Sequence, residues 1–213
     1  MQRVWFRRTT FWLCLVWAAC MGSLGIAPVD VSPTLAQPPP ERFTLPVELR
    51  AQETDVWCWA ATGQMTMEFF GLSVSQTEQA NRFFRRNDCG ARPVPKPCVR
   101  GGELTLAPYG FSYDLTKKPP SEGEIVRQTY GLRKPIPFAW RWPGGGGHAA
   151  LVVGYARGLD GTFLVECLDP FPPPGKDKRS WSGGQRLFIP YDRWDGDHDH
   201  SFGHAFVNVA KKP

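Results

Sequence analysis

Four residues could together carry acyl transfer. Cys58 stands between two tryptophans in QETDVWCWAA, with Gln52 six residues upstream. At the first turn of a helix, unpaired backbone N–H groups and the helix dipole stabilise a thiolate and turn the sulfur into a nucleophile. Such a thiolate needs a base. His148, in WPGGGGHAALVVGY, opens an apolar run after four glycines, a seat that fixes an imidazole at the edge of a cleft. The base needs an acceptor for its second ring N–H. Asp169 closes TFLVECLD and precedes Pro170, so it can sit at the end of a neighbouring strand. The tetrahedral intermediate needs donors aimed at its oxygen. The Gln52 amide and the Cys58 backbone N–H are placed to supply them. Taken singly, each residue has a plainer role, as core packing, a turn or a strand thiol. Trp59, Gly146 and Gly147 flank the nucleophile and the base, and are the expected contacts for substrate.

The remaining cysteines divide by context. Cys14 and Cys20 fall in the N-terminal segment described below. Cys89 and Cys98 enclose the proline-rich CGARPVPKPC, and in an oxidising compartment a loop this short closes readily once the Cα atoms come within about 7 Å. A disulfide is expected there; the spacing matches zinc-ligand patterns poorly. Cys167 lies inside an apolar strand-like run and reads as a core thiol. His198, His200 and His204 lie in DGDHDHSFGH and read as a solvated loop. No metal or other cofactor is expected.

These groups must be held by helices first and strands second. Ala60, Ala61, Met65 and Phe69 form a helical stripe from Cys58 to Phe70, with Asp55 as the expected cap and Gly71 as the stop. Ser75 opens a second helix running to about Arg86 through a capping-box pattern. A third is expected over 102–109, and a fourth from Ser121 to near Gly131. PIPFAWRW, AALVVGYA, TFLVECL, RLFIPY and HAFVNVA read as strands. This segregation predicts an α+β fold, with the site in the cleft between a helical N-terminal lobe and an antiparallel β-sheet C-terminal lobe. The Pro-rich stretches 87–101 and 170–185 are expected to line that cleft.

Residues 1–36 have an arginine-bearing start, an apolar run and Thr34-Leu35-Ala36 at a cut point, the pattern of an export signal. Residues 37–50 follow as an extended leader and 51–213 as the domain. Losing Arg3, Arg7, Arg8 and Asp30 with the signal would reduce the formal charge from +5 to +3. That mild excess, without a basic run or a recognition module, excludes a nucleic-acid footprint. The expected protein is a secreted or periplasmic monomer, touching a membrane only through its export signal, with an uncleaved membrane anchor as the lesser alternative.

The order Gln52, Cys58-Trp59-Ala60, His148 and Asp169-Pro170 resembles the papain-like cysteine peptidases. The likeness is strongest to a bacterial branch of secreted effector proteases and bacteriocin-leader peptidases, and covers about residues 45–195. It implies the papain-like fold, a protein or peptide substrate and hydrolysis of peptide or isopeptide bonds. Cys58 would be the nucleophile, His148 the base, Asp169 its orienter and Gln52 the oxyanion donor. Three departures stand out. Asp55 replaces a cysteine three residues before the nucleophile, Asp169 stands in place of asparagine, and Phe171 occupies the place of a tryptophan that shields the base. The residues also permit a transglutaminase-like or deamidase-like enzyme, an inactive papain-fold binding module, or a metal protein built on the histidine-rich tail.

Overall fold

The computed structural model describes residues 38–172 and 183–212. The export signal assigned to residues 1–36 lies outside the described residues, as does most of the stretch 170–185. The elements run β1 (Arg42–Thr44), α1 (Cys58–Phe69), α2 (Gln76–Phe84), β2 (Phe111–Thr116), α3 (Glu122–Val126), β3 (Ile136–Arg141), β4 (Gly147–Arg157), β5 (Phe163–Asp169), β6 (Gln185–Pro190), α4 (Tyr191–Asp195) and β7 (Ser201–Lys211). All strand pairs are antiparallel, in the order β2-β7-β3-β4-β5-β6. β1 joins β4 at Gly154–Ala156, just beyond the residues that β3 covers. Among the described residues no helix is long and apolar enough to cross a membrane.

β4 is central, and Ala149 through Tyr155 are all buried on it. On one face, Leu151 and Val153 pack with Met65 of α1 and with Leu45, Val47 and Leu168. On the other, Ala150 and Val152 join Phe138, Trp140, Val165 and Trp194. A strand buried on both faces loses the alternation that marks a half-exposed one, which is why AALVVGYA reads as a continuous apolar run. α1 is buried around most of its circumference, so its small residues Ala60 and Ala61 set how close it lies to the sheet. Gly71 takes φ +77° just past the end of α1. Ser75 caps α2 by accepting from the Glu78 N–H at 3.1 Å.

Three expectations are corrected. Asp55 does not cap α1: the cap position is Trp57, whose side chain makes no cap bond, and the turn closed by the Trp57 N–H to the Thr54 carbonyl leaves Asp55 exposed. The helix expected over 102–109 is an extended segment ending in a single turn, Ala107–Tyr109. Leu104 and Leu106 alternate inward there, a period of two that no helix would show. α2 stops at Phe84 because Arg85 turns left-handed at φ 55°.

Candidate active site

The first turn of α1 and the first residues of β4 meet at Cys58. The thiol is half-buried. Burial alone would push it up, but a hydrogen bond to His148, the charge of that imidazole and the backbone N–H groups of Ala149 and Trp59 outweigh burial and hold it below the ordinary thiol value. The other free thiol among the described residues, Cys167, goes the opposite way. It is fully buried, and burial together with the charges of Asp169 and Glu166 raises it well above the usual range. These two thiols thus differ in the sign of their shift: Cys58 sits where a thiolate is favoured, Cys167 where it is not.

His148 is held from both sides. Its Nε2 lies 2.6 Å from Asp169 Oδ1, which leaves Nδ1 as the nitrogen for the sulfur. Burial lowers the imidazole, yet the hydrogen bonds and charges of Asp169 and Cys58 overcome this and push it up to about 10. The pair therefore favours thiolate and imidazolium over the neutral forms. Asp169 is nearly buried and also accepts the Phe171 N–H at 2.8 Å, so its carboxylate cannot swing away from the ring.

The glycine run is the turn between β3 and β4. Gly145 and Gly146 take φ of 93° and 78°, a left-handed region that other residues enter only with strain. That turn brings Trp142 over the base: its ring lies 6.3 Å from the His148 ring at an interplanar angle of 18°. Phe171 meets the imidazole edge-on at 6.2 Å. The tryptophan absent from position 171 is thus matched by two aromatic rings, Trp142 and Phe171, and the His148 and Asp169 side chains are each only 11% exposed.

Gln52 is buried (1% exposed) and is not among the residues that line the cleft. Its Nε2 donates to the Thr54 carbonyl at 2.7 Å, and its backbone N–H donates to the Pro170 carbonyl at 3.0 Å. The second bond ties the segment before α1 to the end of β5, so Gln52 and Asp169 are set by one another's backbone. One amide hydrogen of Nε2 remains.

Cys58, His148 and Asp169 open on a cleft of about 1230 Å³. Trp59, Gly146 and Gly147, the residues expected to contact substrate, are among those that line it. Its helical wall, however, is the extended segment Gly101–Thr105, so of the stretch 87–101 only Gly101 takes part; of 170–185, the described residues contribute Phe171. A side chain at Gly102 would meet the Trp59 indole at 2.5 Å, so the wall can lie flat on Trp59 only with glycine there. Tyr113 and Leu115 of β2, Ala139 and Arg141 of β3, and His204 and Phe206 of β7 form the opposite wall.

The histidine tail is not a solvated loop throughout. His198 is exposed, but His200 is mostly buried, with its ring 4.6 Å from that of Trp140 and its Nδ1 3.1 Å from Asp197. His204 lies in β7, where burial and the nearby Arg141 hold it below the ordinary value. The strand run that opens at His204 is legible in HAFVNVA, but which wall it faces is set by the pairing of β7 with β3 and β2. Cys89 and Cys98 form a disulfide with Cα atoms 5.6 Å apart.

A family model described as "Papain-like cysteine protease AvrRpt2" matches residues 39–180, more than half of the chain. The chain belongs to this family of papain-like cysteine proteases. The papain-like α+β fold and cysteine peptidase activity follow from that membership. Among solved structures, bromelain from Ananas comosus is similar at 10% identity and a TM-score of 0.43, over 79% of this chain and 98% of its own. The peptidase domain of Streptococcus ComA is similar at 15% identity and a TM-score of 0.43, over 78% of this chain and 99% of its own. A double glycine motif protease from an AMS/PCAT transporter, in complex with a leader peptide, is similar at 19% identity and a TM-score of 0.40, over 77% of this chain and 91% of its own. No curated protein matches the sequence.

Proposed function

We propose that this papain-like cysteine protease is an exported bacterial enzyme, acting as a monomer, that hydrolyses peptide or isopeptide bonds with Cys58 as nucleophile, His148 as acid and base, and Asp169 as its orienter. One observation carries the reading: His148 is bonded through Nε2 to a buried carboxylate and reaches the Cys58 thiol with its other face. The thiolate attacks the substrate carbonyl, and the new oxyanion is met by the Cys58 N–H and by the Gln52 amide, whose side chain must turn from the Thr54 carbonyl toward the cleft to reach it. The imidazolium gives its proton to the leaving amine, and the acyl-enzyme remains. Neutral His148 then takes a proton from water, hydroxide attacks the thioester, and the thiolate is restored. The disulfide and the signal-like N-terminus support export to an oxidising compartment.

Two results are expected. In water enriched with ¹⁸O, peptide products acquire one heavy oxygen at the new carboxyl terminus, read by mass spectrometry. Isopeptide cross-links or ammonia release in place of new termini would instead assign the chain to transglutaminase-like or deamidase-like chemistry. Gln52→Ala lowers kcat by about 10² to 10³ while KM changes little, because that amide acts on the oxyanion and not on the bound substrate. An unchanged kcat would remove Gln52 from the mechanism.

A further inference from the structure

The positive charge of this protein is unevenly placed. From Arg82 to Arg100 the chain carries Arg82, Arg85, Arg86, Arg92, Lys96 and Arg100 against one acid, Asp88, an excess equal to the whole chain's formal +5. All six cations are exposed. Arg86 is tied to Asp88 by two bonds of 2.7 and 2.6 Å, and Arg92 meets Glu53 at 3.3 Å. Among the described residues no carboxylate pairs with Arg82, Arg85, Lys96 or Arg100. Phe83 and Val99, 38% and 40% exposed, lie within the same stretch.

This face is rigid. The disulfide clamps its loop, the Cys89 N–H donates to Asn81 Oδ1 at 2.9 Å, and Trp57 Nε1 donates to the Cys98 carbonyl at 2.8 Å. The last bond fastens it to the residue preceding the nucleophile. The face is also continuous with the cleft. The Arg100 guanidinium lies 4.7 Å over the Phe84 ring, Phe83 and Phe84 pack on Trp59, and the next residues, Gly101 and Gly102, are cleft wall.

We infer that this face receives an acidic segment of the polypeptide being cut, a few residues away from the scissile bond. The inference rests on the cleft holding that chain, and it adds the substrate class: sequences with a cluster of Asp or Glu to one side of the cleavage point. An extended chain leaving the cleft over Gly101 and Gly102 advances about 3.3 Å per residue and runs directly onto the unpaired cations. A membrane or another anionic surface would use the cations too, but it has no need of their continuity with the cleft. A single exposed ion pair contributes little; four unpaired cations preset by a clamped loop add up to about tenfold in affinity at low salt.

The test uses a fluorogenic peptide library, randomised around its centre, in three versions: a tetraglutamate tail on either end, or a neutral Gly/Ser tail. The full chain and its R82E/R85E/R100E variant are assayed at about 20 and about 500 mM salt. Binding of the same peptides to Cys58→Ala is followed by anisotropy. The expected result is that one acidic tail raises kcat/KM about tenfold through KM at low salt. The gain vanishes at high salt and in the charge-reversed variant, while both proteins cut the neutral library equally. Equal cutting of all three versions at low salt by the unmodified chain overturns the inference, as does a tail preference that survives charge reversal. Binding to phosphatidylglycerol vesicles that depends on these arginines, with no tail effect, assigns the face to a membrane instead. If no library is cut, the peptidase reading has failed on its own, and anisotropy still decides: about tenfold tighter binding of an acidic tail supports the inference, and equal binding overturns it.

Discussion

Cys58→Ala yields a folded protein without measurable turnover, a loss of at least about 10⁴ in kcat. The size of the loss follows from what the sulfur does. Among the described residues no other free thiol can replace it, since Cys167 is fully buried and its thiol is held neutral. The folding cost is small, because the thiol is half-buried and alanine suits a helix start between Trp57 and Trp59. Circular dichroism and thermal melting should therefore overlay those of the unmodified chain. Iodoacetamide gives the complementary reading. The unmodified protein is labelled at Cys58 near neutral pH faster than free cysteine, and the alanine variant takes up no label at Cys167 until it is unfolded. Residual turnover in Cys58→Ala, or labelling no faster than free cysteine, would place the chemistry elsewhere.

The parts of the site legible from sequence are those set by local signals. Cys58 follows a short polar turn and begins a proline-free stripe; His148 follows glycines and begins an apolar run; Asp169 ends one. Each can be placed at an element's end without knowing what it faces. The cleft walls were less legible because tertiary packing decides them. β1 is three residues long, and β2 buries only Phe111, so neither carries a periodic signal. Residues 102–109 read as a helix although Leu104 and Leu106 alternate inward. A two-residue period over so short a span is easily read as part of a longer one. Asp55 has the right type and spacing for a cap, yet the Trp59 N–H at that helix start goes to the Cys58 sulfur. The helix end that sequence rules would close with a carboxylate is left open for the thiolate. His200 and His204 show the reverse: polar spacing suggests solvent, while pairing with β3 carries His204, and the turn leading into β7 carries His200, into aromatic surroundings.

His148→Ala should abolish turnover as fully as Cys58→Ala and, in addition, change the sulfur it leaves behind. The imidazole is the largest influence lowering the thiol, through its hydrogen bond and its charge; without it, burial remains, opposed only by the Ala149 and Trp59 N–H groups. The alkylation rate of Cys58 plotted against pH should then shift its midpoint upward, and labelling at pH 6 should fall by about tenfold or more. In the unmodified protein the signs run the other way. The acidic limb of kcat/KM lies below the usual thiol value, because the thiolate survives to lower pH beside an imidazolium. The alkaline limb lies near 10, where that imidazolium loses its proton and the leaving amine loses its acid. Asp169→Ala separates the two effects. It removes the acceptor at Nε2, so the alkaline limb moves down, while the Cys58–His148 contact and part of the lowered thiol remain. An alkylation midpoint unmoved by His148→Ala would mean that the helix start alone holds the sulfur ionised, and the base would have to be sought on another wall of the cleft.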